Sequence, residues 1–156
     1  MCVCAWMAQF HANCKRPKSI RTNRPLTTDE VKSQEVWWTE RVQAEATYSK
    51  KFSAHKLQLN LQLRDSGLLE CRGRLIGAYP IYLPDDNLFT FMFVQQVHLT
   101  TLHRGVTLTM TKVRETHWVT RLRALTKRVI KSCWGCKRSE AQAYHRDVYL
   151  SCAPKE

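Results

Sequence analysis

Four side chains restrict the fold of this chain more than any other feature. His98 and His103 are separated by four residues and Cys133 and Cys136 by two, with 29 residues between the pairs. Imidazole nitrogen and thiolate sulfur together suit zinc, a borderline-soft ion that closes a tetrahedral shell with four such ligands. No position is then left for a substrate, so the set points to one structural zinc ion. Residues five apart on an ideal helix point about 140° apart around the axis, so both histidines reach one ion only if the helix ends between them. Arg104-Gly105 supplies that ending. At the far end Trp134-Gly135 lets the chain fold round so that both sulfurs face inward, with Gly135 free to take a positive φ. Lys131, Lys137 and Arg138 place positive charge beside the thiolates.

Plainer readings compete for the same residues. A CxxC can be a redox pair, but such a pair normally follows a strand and opens a helix, whereas Cys133 is expected to close a basic helix. Histidines on an apolar helix are often packed in the core; order and spacing together favour ligation here. His117, on an apolar stripe beside Trp118, reads as a packed core histidine and is the substitute if one ligand is misassigned. His11, His55 and His145 have no partner at metal spacing and read as surface; Cys2, Cys4, Cys14, Cys71 and Cys152 read as free thiols.

The rest of the chain divides around this module. Residues 1–26 read as a basic connector, because Pro17 and Pro25 deny it a continuous helix and Lys15, Arg16, Lys18, Arg21 and Arg24 cluster around them. The run Lys15 to Lys18 reads first as solvated charge and second as a nuclear address. A helical segment covers 27–63: Thr27 and Glu30 form a capping box, and Val31, Trp38, Val42 and Ala46 make the core stripe. Residues 64–84 are expected to hold a β-hairpin, with a turn at Asp65-Ser66-Gly67 and strands at Leu68–Cys71 and Pro80–Pro84.

The zinc module itself occupies 85–140, and 141–156 is a tail. Its first helix is capped by Pro84-Asp85-Asp86-Asn87 and runs to about Leu102, with Leu88, Phe91, Met92, Leu99 and Leu102 on one side. Phe89, Phe93 and Val97 on the other side are too apolar for a free surface, so that side is either buried by the N-terminal helix and hairpin or meets another protein. A second helix runs from Val106 to His117 and a third from Arg121 to Ser132, and the short break at Val119-Thr120 makes the pair helix-turn-helix-like. The fold class is therefore mainly α: an N-terminal helix and a small hairpin, then a three-helix zinc-binding bundle. Short helices bury little apolar surface, so the bundle is expected to be loose without metal.

Charge narrows the partners. Lys and Arg total 25 against 13 acids, a net charge of +12. From Arg104 to Arg138 ten basic residues face one acid, a local +9. Arg123, Lys127 and Lys131 recur at helical spacing as a ridge, and Arg114, Arg121, Arg128, Lys137 and Arg138 extend it. Such a field attracts DNA, or RNA, through phosphate contacts that read little sequence. A solvated basic face without a partner is the plain alternative. Seven cysteines, an odd number, and the lack of a secretory leader argue for a reducing, intracellular setting, with the nucleus as the expected one. Neither a membrane span nor a small-molecule site is expected, and no nucleophile–base pair, phosphate loop or carboxylate cluster marks an enzyme.

On these residues the chain resembles the integrase zinc-binding domain of retrotransposon polyproteins, and most closely that of BEL/Pao-type elements. The resemblance runs through Asp65-Ser66-Gly67-Leu68-Leu69, Gly73-Arg74-Leu75, Tyr79-Pro80-Ile81-Tyr82-Leu83-Pro84, His98, His103-Arg104-Gly105-Val106, Arg114-Glu115, His117-Trp118-Val119 and Cys133-Trp134-Gly135-Cys136-Lys137-Arg138. Upstream, Phe10-His11-Ala12-Asn13-Cys14-Lys15-Arg16-Pro17 is similar to the connector before integrase, as if the chain began inside a larger reading frame. The resemblance implies that His98, His103, Cys133 and Cys136 hold zinc in a module serving multimerisation and contact with the element's DNA ends. The family's catalytic core would follow, yet the chain ends 20 residues after Cys136, so it is not expected to act as an enzyme alone. The competing expectation is a protein-interaction scaffold docking through Phe89, Phe93 and Val97, or a retroelement fragment without function.

Overall fold

The computed structural model describes residues 2–73 and 79–139. The expected tail 141–156, with His145 and Cys152, and Arg74 and Leu75 lie outside the described residues.

Helix α1 spans Cys2–Lys15 and α2 spans Thr28–Thr47. The N-terminal connector, expected to lack a continuous helix, is helical over its first half and leaves the helix before Pro17. Pro17 ends that helix and does not prevent it, because a proline obstructs only the turn before it, and no Gly or Pro interrupts residues 2–15. Ala5 is the buried contact of α1, too sparse a pattern to show as a stripe. Asn13 then fastens the returning chain, its amide donating to the Thr22 carbonyl at 2.8 Å and its side-chain oxygen accepting from the Thr22 N–H at 2.9 Å. The capping box opens α2 as expected: the Thr27 hydroxyl accepts from the Glu30 N–H, and the Glu30 carboxylate accepts from the Thr27 N–H at 2.8 Å. These contacts, the Thr27 N–H foremost, hold the Glu30 carboxyl below its ordinary range. Val42 lies in the core, Trp38 stacks on Phe89, and Ala46 packs in a second cluster.

Helix α3, Phe52–Gln58, leads into a four-stranded sheet: β1 Leu61–Leu63, β2 Leu69–Cys71, β3 Ile81–Leu83 and β4 His117–Val119, in that spatial order. The expected hairpin is β2–β3, antiparallel. Two further strands flank it, β1 antiparallel to β2 and β4 parallel to β3. Three-residue strands are too short to show an alternating pattern, and β4 exists only because α4 (Leu88–Thr100) and α5 (Val106–Arg114) carry the chain back beside β3. The second module helix therefore stops at Arg114, and His117 belongs to a strand. Helix α6, Leu122–Ser132, follows.

Gln43 joins α2 to the sheet. Its amide nitrogen donates to the carbonyls of Leu69 (3.0 Å) and Tyr82 (2.8 Å), and its oxygen accepts from the Leu69 N–H (2.8 Å). The buried side chain thus supplies hydrogen bonds between β2 and β3 where direct pairing is short.

The main core gathers Val42, Leu83, Val94, Val113, Val119, Leu122, Leu125 and Val129. Here α4 takes the first of the two courses open to its Phe89, Phe93 and Val97 side, burial within the chain. Thr90, Val94 and His98 are its buried stripe, and Phe89, Phe93 and Val97 pack against the core. Leu88, Met92, Leu99 and Leu102 are exposed, by 72%, 57%, 43% and 76%. A helix that is apolar all round carries no phase to read, and tertiary packing chose the face containing a threonine and a histidine. The scaffold surface at Phe89, Phe93 and Val97 is accordingly occupied inside the molecule.

Candidate metal centre and basic face

The histidine pair is built by the end of α4. The His103 N–H donates to the His98 carbonyl at 3.1 Å and the Leu102 N–H to the Leu99 carbonyl at 3.0 Å, a Schellman closure around Thr101. Leu102 (φ 54°) and His103 (φ 59°) both sit in the left-handed region, where glycine is the usual occupant. That double left-handed step swings His103 back toward His98, until the two rings meet edge to face at 5.0 Å. The helix ends before His103, earlier than the Arg104-Gly105 step expected to end it. Holding two side-chain-bearing residues there costs on the order of 1 kcal/mol each, a cost the clustering of ligands has to offset.

Cys133 follows the last turn of α6, and Cys136 lies on a short helical stretch, 134–139. His98 Nε2 is 3.2 Å from Cys136 Sγ, and His103 Nδ1 is 3.3 Å from Cys133 Sγ and 3.7 Å from Cys136 Sγ. All four ligand atoms lie within 4.8 Å of one another. Zinc with nitrogen and sulfur ligands at ordinary bond lengths separates them by roughly 3.6 Å along a tetrahedral edge, so the cluster fits one ion. His98 and Cys133 are buried, Cys136 is half-buried and His103 is exposed, so the ion would sit at the rim of the core.

Neighbours fix the ligands. His98 Nδ1 lies 3.4 Å from the Thr109 hydroxyl, which donates onward to the Gly105 carbonyl at 3.0 Å. With Nε2 turned to the cluster, Nδ1 carries the proton and donates to Thr109, the arrangement that orients a ligating imidazole. Burial, and then the charge of His103, push the His98 pKa down, favouring the neutral ring a metal requires. Gly135 does not use the positive φ it is free to take. A Cβ there would lie 3.0 Å from His103 Cε1, so glycine lets the backbone approach the ring without displacing it. Residue spacing carries no trace of Thr109 or of this approach.

His117 takes no part in the cluster. It is buried against Phe93, ring centroids 4.5 Å apart, with Nδ1 2.8 Å from the Thr116 hydroxyl, and burial pulls its pKa down to about 4. His55, expected on the surface, is half-buried and its Nδ1 meets the Tyr82 hydroxyl at 3.0 Å. That hydroxyl's pKa is pushed up to about 12, first by burial and then by Asp86 and Asp85.

All eight cations singled out in the sequence, Arg114, Arg121, Arg123, Lys127, Arg128, Lys131, Lys137 and Arg138, are exposed. Helix α6 buries Leu122, Leu125, Thr126 and Val129 and turns Arg123, Lys127, Arg128 and Lys131 outward. Arg128 lies over the Phe91 ring and Arg138 over Trp134. No helix among the described residues is long and apolar enough to cross a membrane.

No curated protein and no solved structure gives a significant match to the chain. Residues 87–142 match the family model of the integrase zinc-binding domain, and within that stretch His98, His103, Cys133 and Cys136 are positioned to bind one structural zinc ion.

Proposed function

We propose that this chain is a zinc-stabilised nucleic-acid-binding module serving DNA integration by a retroelement of BEL/Pao type, with no catalytic role of its own. The carrying observation is that α6, anchored to the ligand cluster through Cys133, buries its apolar face and presents its cations together to solvent. Zinc would join the ends of α4 and α6 and so hold that basic face in place. Four protein ligands close the shell, so the ion's part is structural. Action on chromosomal DNA would place the chain in the nucleus.

Electrophoretic mobility of labelled duplex DNA tests this. The zinc-loaded chain should bind with an affinity that falls steeply with salt, and reversing Arg123, Lys127 and Lys131 to Glu should abolish the shift while zinc content stays at one per chain. An unchanged shift in the triple variant would refute the assignment.

Self-association is a second part of the reading, through a surface other than the one expected. Leu88, Met92, Gln95 and Leu99 follow the alternating four- and three-residue steps of a coiled-coil seam, and the three apolar members are exposed. A second copy of α4 is the self-complementary occupant of such a seam. Sedimentation velocity should find a dimer that Met92→Glu with Leu99→Glu converts to monomer; a monomeric wild type at high concentration would reject it.

A further inference from the structure

A groove of about 710 Å³ runs between α3 and the β4–α6 junction, within the roughly 300–1,000 Å³ range of ligand clefts. It lies at the opposite end of α6 from the metal ligands, about 17 Å away along that helix. Arg114, Arg121, Arg123 and Lys127 line it, and His55 and Gln58 of α3 line it too. Among the described residues, the one carboxylate within ion-pair range of these four cations is Asp85, 4.0 Å from Arg121 Nε. Trp118 also lines the groove and is 41% exposed. Its position follows from strand alternation: His117 and Val119 on either side turn into the core, so Trp118 must turn out.

The cations alone would serve any polyanion, but the indole calls for something flat. Sites for single-stranded nucleic acid combine these two parts, cations tracking the phosphates and exposed aromatic rings stacking the bases. A duplex keeps its base faces within its own stack and would leave Trp118 unused. We propose that this groove binds an unpaired stretch of nucleic acid, with one base stacked on Trp118 and the flanking phosphates held by Arg121, Arg123 and Lys127. This rests on the nucleic-acid reading above and adds to it a preference for unpaired strands.

Fluorescence anisotropy of the zinc-loaded chain with labelled dT12, U12 and a 12-base-pair duplex tests it. Both single strands should bind more tightly than the duplex. Trp118→Leu should weaken dT12 and U12 binding about tenfold and leave duplex binding within twofold, while Trp118→Phe keeps most of the affinity. Should Trp118→Leu fail to fold, indole emission decides: dT12 should quench the wild type more than Trp118→Phe. Undiminished single-strand binding by a folded Trp118→Leu variant, or equal quenching in wild type and Trp118→Phe, would overturn the groove. So would displacement of dT12 by an equal concentration of a polyglutamate peptide, which would mark a site for acidic polymers at large. If the duplex binds and only these outcomes occur, the groove assignment fails alone; if no nucleic acid binds, the reading beneath it fails as well.

Discussion

Gly135 lies against the imidazole of His103 so closely that a single added Cβ would lie 3.0 Å from Cε1. A Gly135→Ala substitution should therefore push the ring off its ligating position. We expect zinc affinity to fall by about tenfold, the lower end for residues that orient a metal ligand, as read by competition with a chromophoric chelator.

Removing the metal should act on the ends of α4 and α6 first. Cys133→Ser with Cys136→Ser should contain no stoichiometric zinc, melt at lower temperature, and lose amide protection around His98 and Val129. Strong chelator should do the same to the wild type. Equal order with and without zinc would remove the basis of the assignment.

Leu102 holds φ 54° while its side chain is mostly exposed. Glycine relieves that conformation with little packing to lose, so Leu102→Gly should stabilise the chain by up to about 1 kcal/mol despite its larger unfolded-state entropy. Denaturant titration of the zinc-loaded protein measures this.

Gln43→Leu would keep the volume but remove three hydrogen bonds to Leu69 and Tyr82. Unsatisfied buried backbone groups make this costly, about 3 kcal/mol of stability in a denaturant titration. Zinc stoichiometry should be unaffected at temperatures where the variant is folded.

His117 ties stability to pH. Its folded-state pKa is depressed to about 4, so the unfolded chain takes up a proton first as pH falls. Stability from the neutral buried ring is complete above about pH 6.5 and is lost progressively down to pH 4, on the order of 3 kcal/mol in all. Zinc release by protonated ligands adds a loss of the same sign. Thermal melting of zinc-loaded wild type and His117→Phe between pH 7 and 4 should separate them: the variant keeps only the metal-dependent part of the slope.

Much of this was legible in the residues, for local reasons. The capping box at Thr27 and Glu30 and the turn at Gly67 depend on a few neighbouring positions, and both form where those positions place them. The ligand set was legible because zinc accepts few donor types and the spacing had to satisfy helix geometry. The buried face of α4 was not legible, since Leu88 and Met92 are as apolar as Phe93 and Val97 and only the surrounding elements distinguish them. Strand β4 was hidden for a related reason: its partner β3 is distant in sequence, and the preceding apolar stripe continued smoothly into His117.

The capping box, the turn at Gly67, the four donors and the basic character of α6 were determined by the sequence alone, because each follows from residue chemistry and from spacing that can be read along the chain. Tertiary structure decided which side of α4 is wet, how His103 returns to His98 through two left-handed residues, and that Trp118 shares a groove with Arg121, Arg123 and Lys127. These depend on contacts between segments far apart in the chain, where packing and closure of the backbone outweigh local preference.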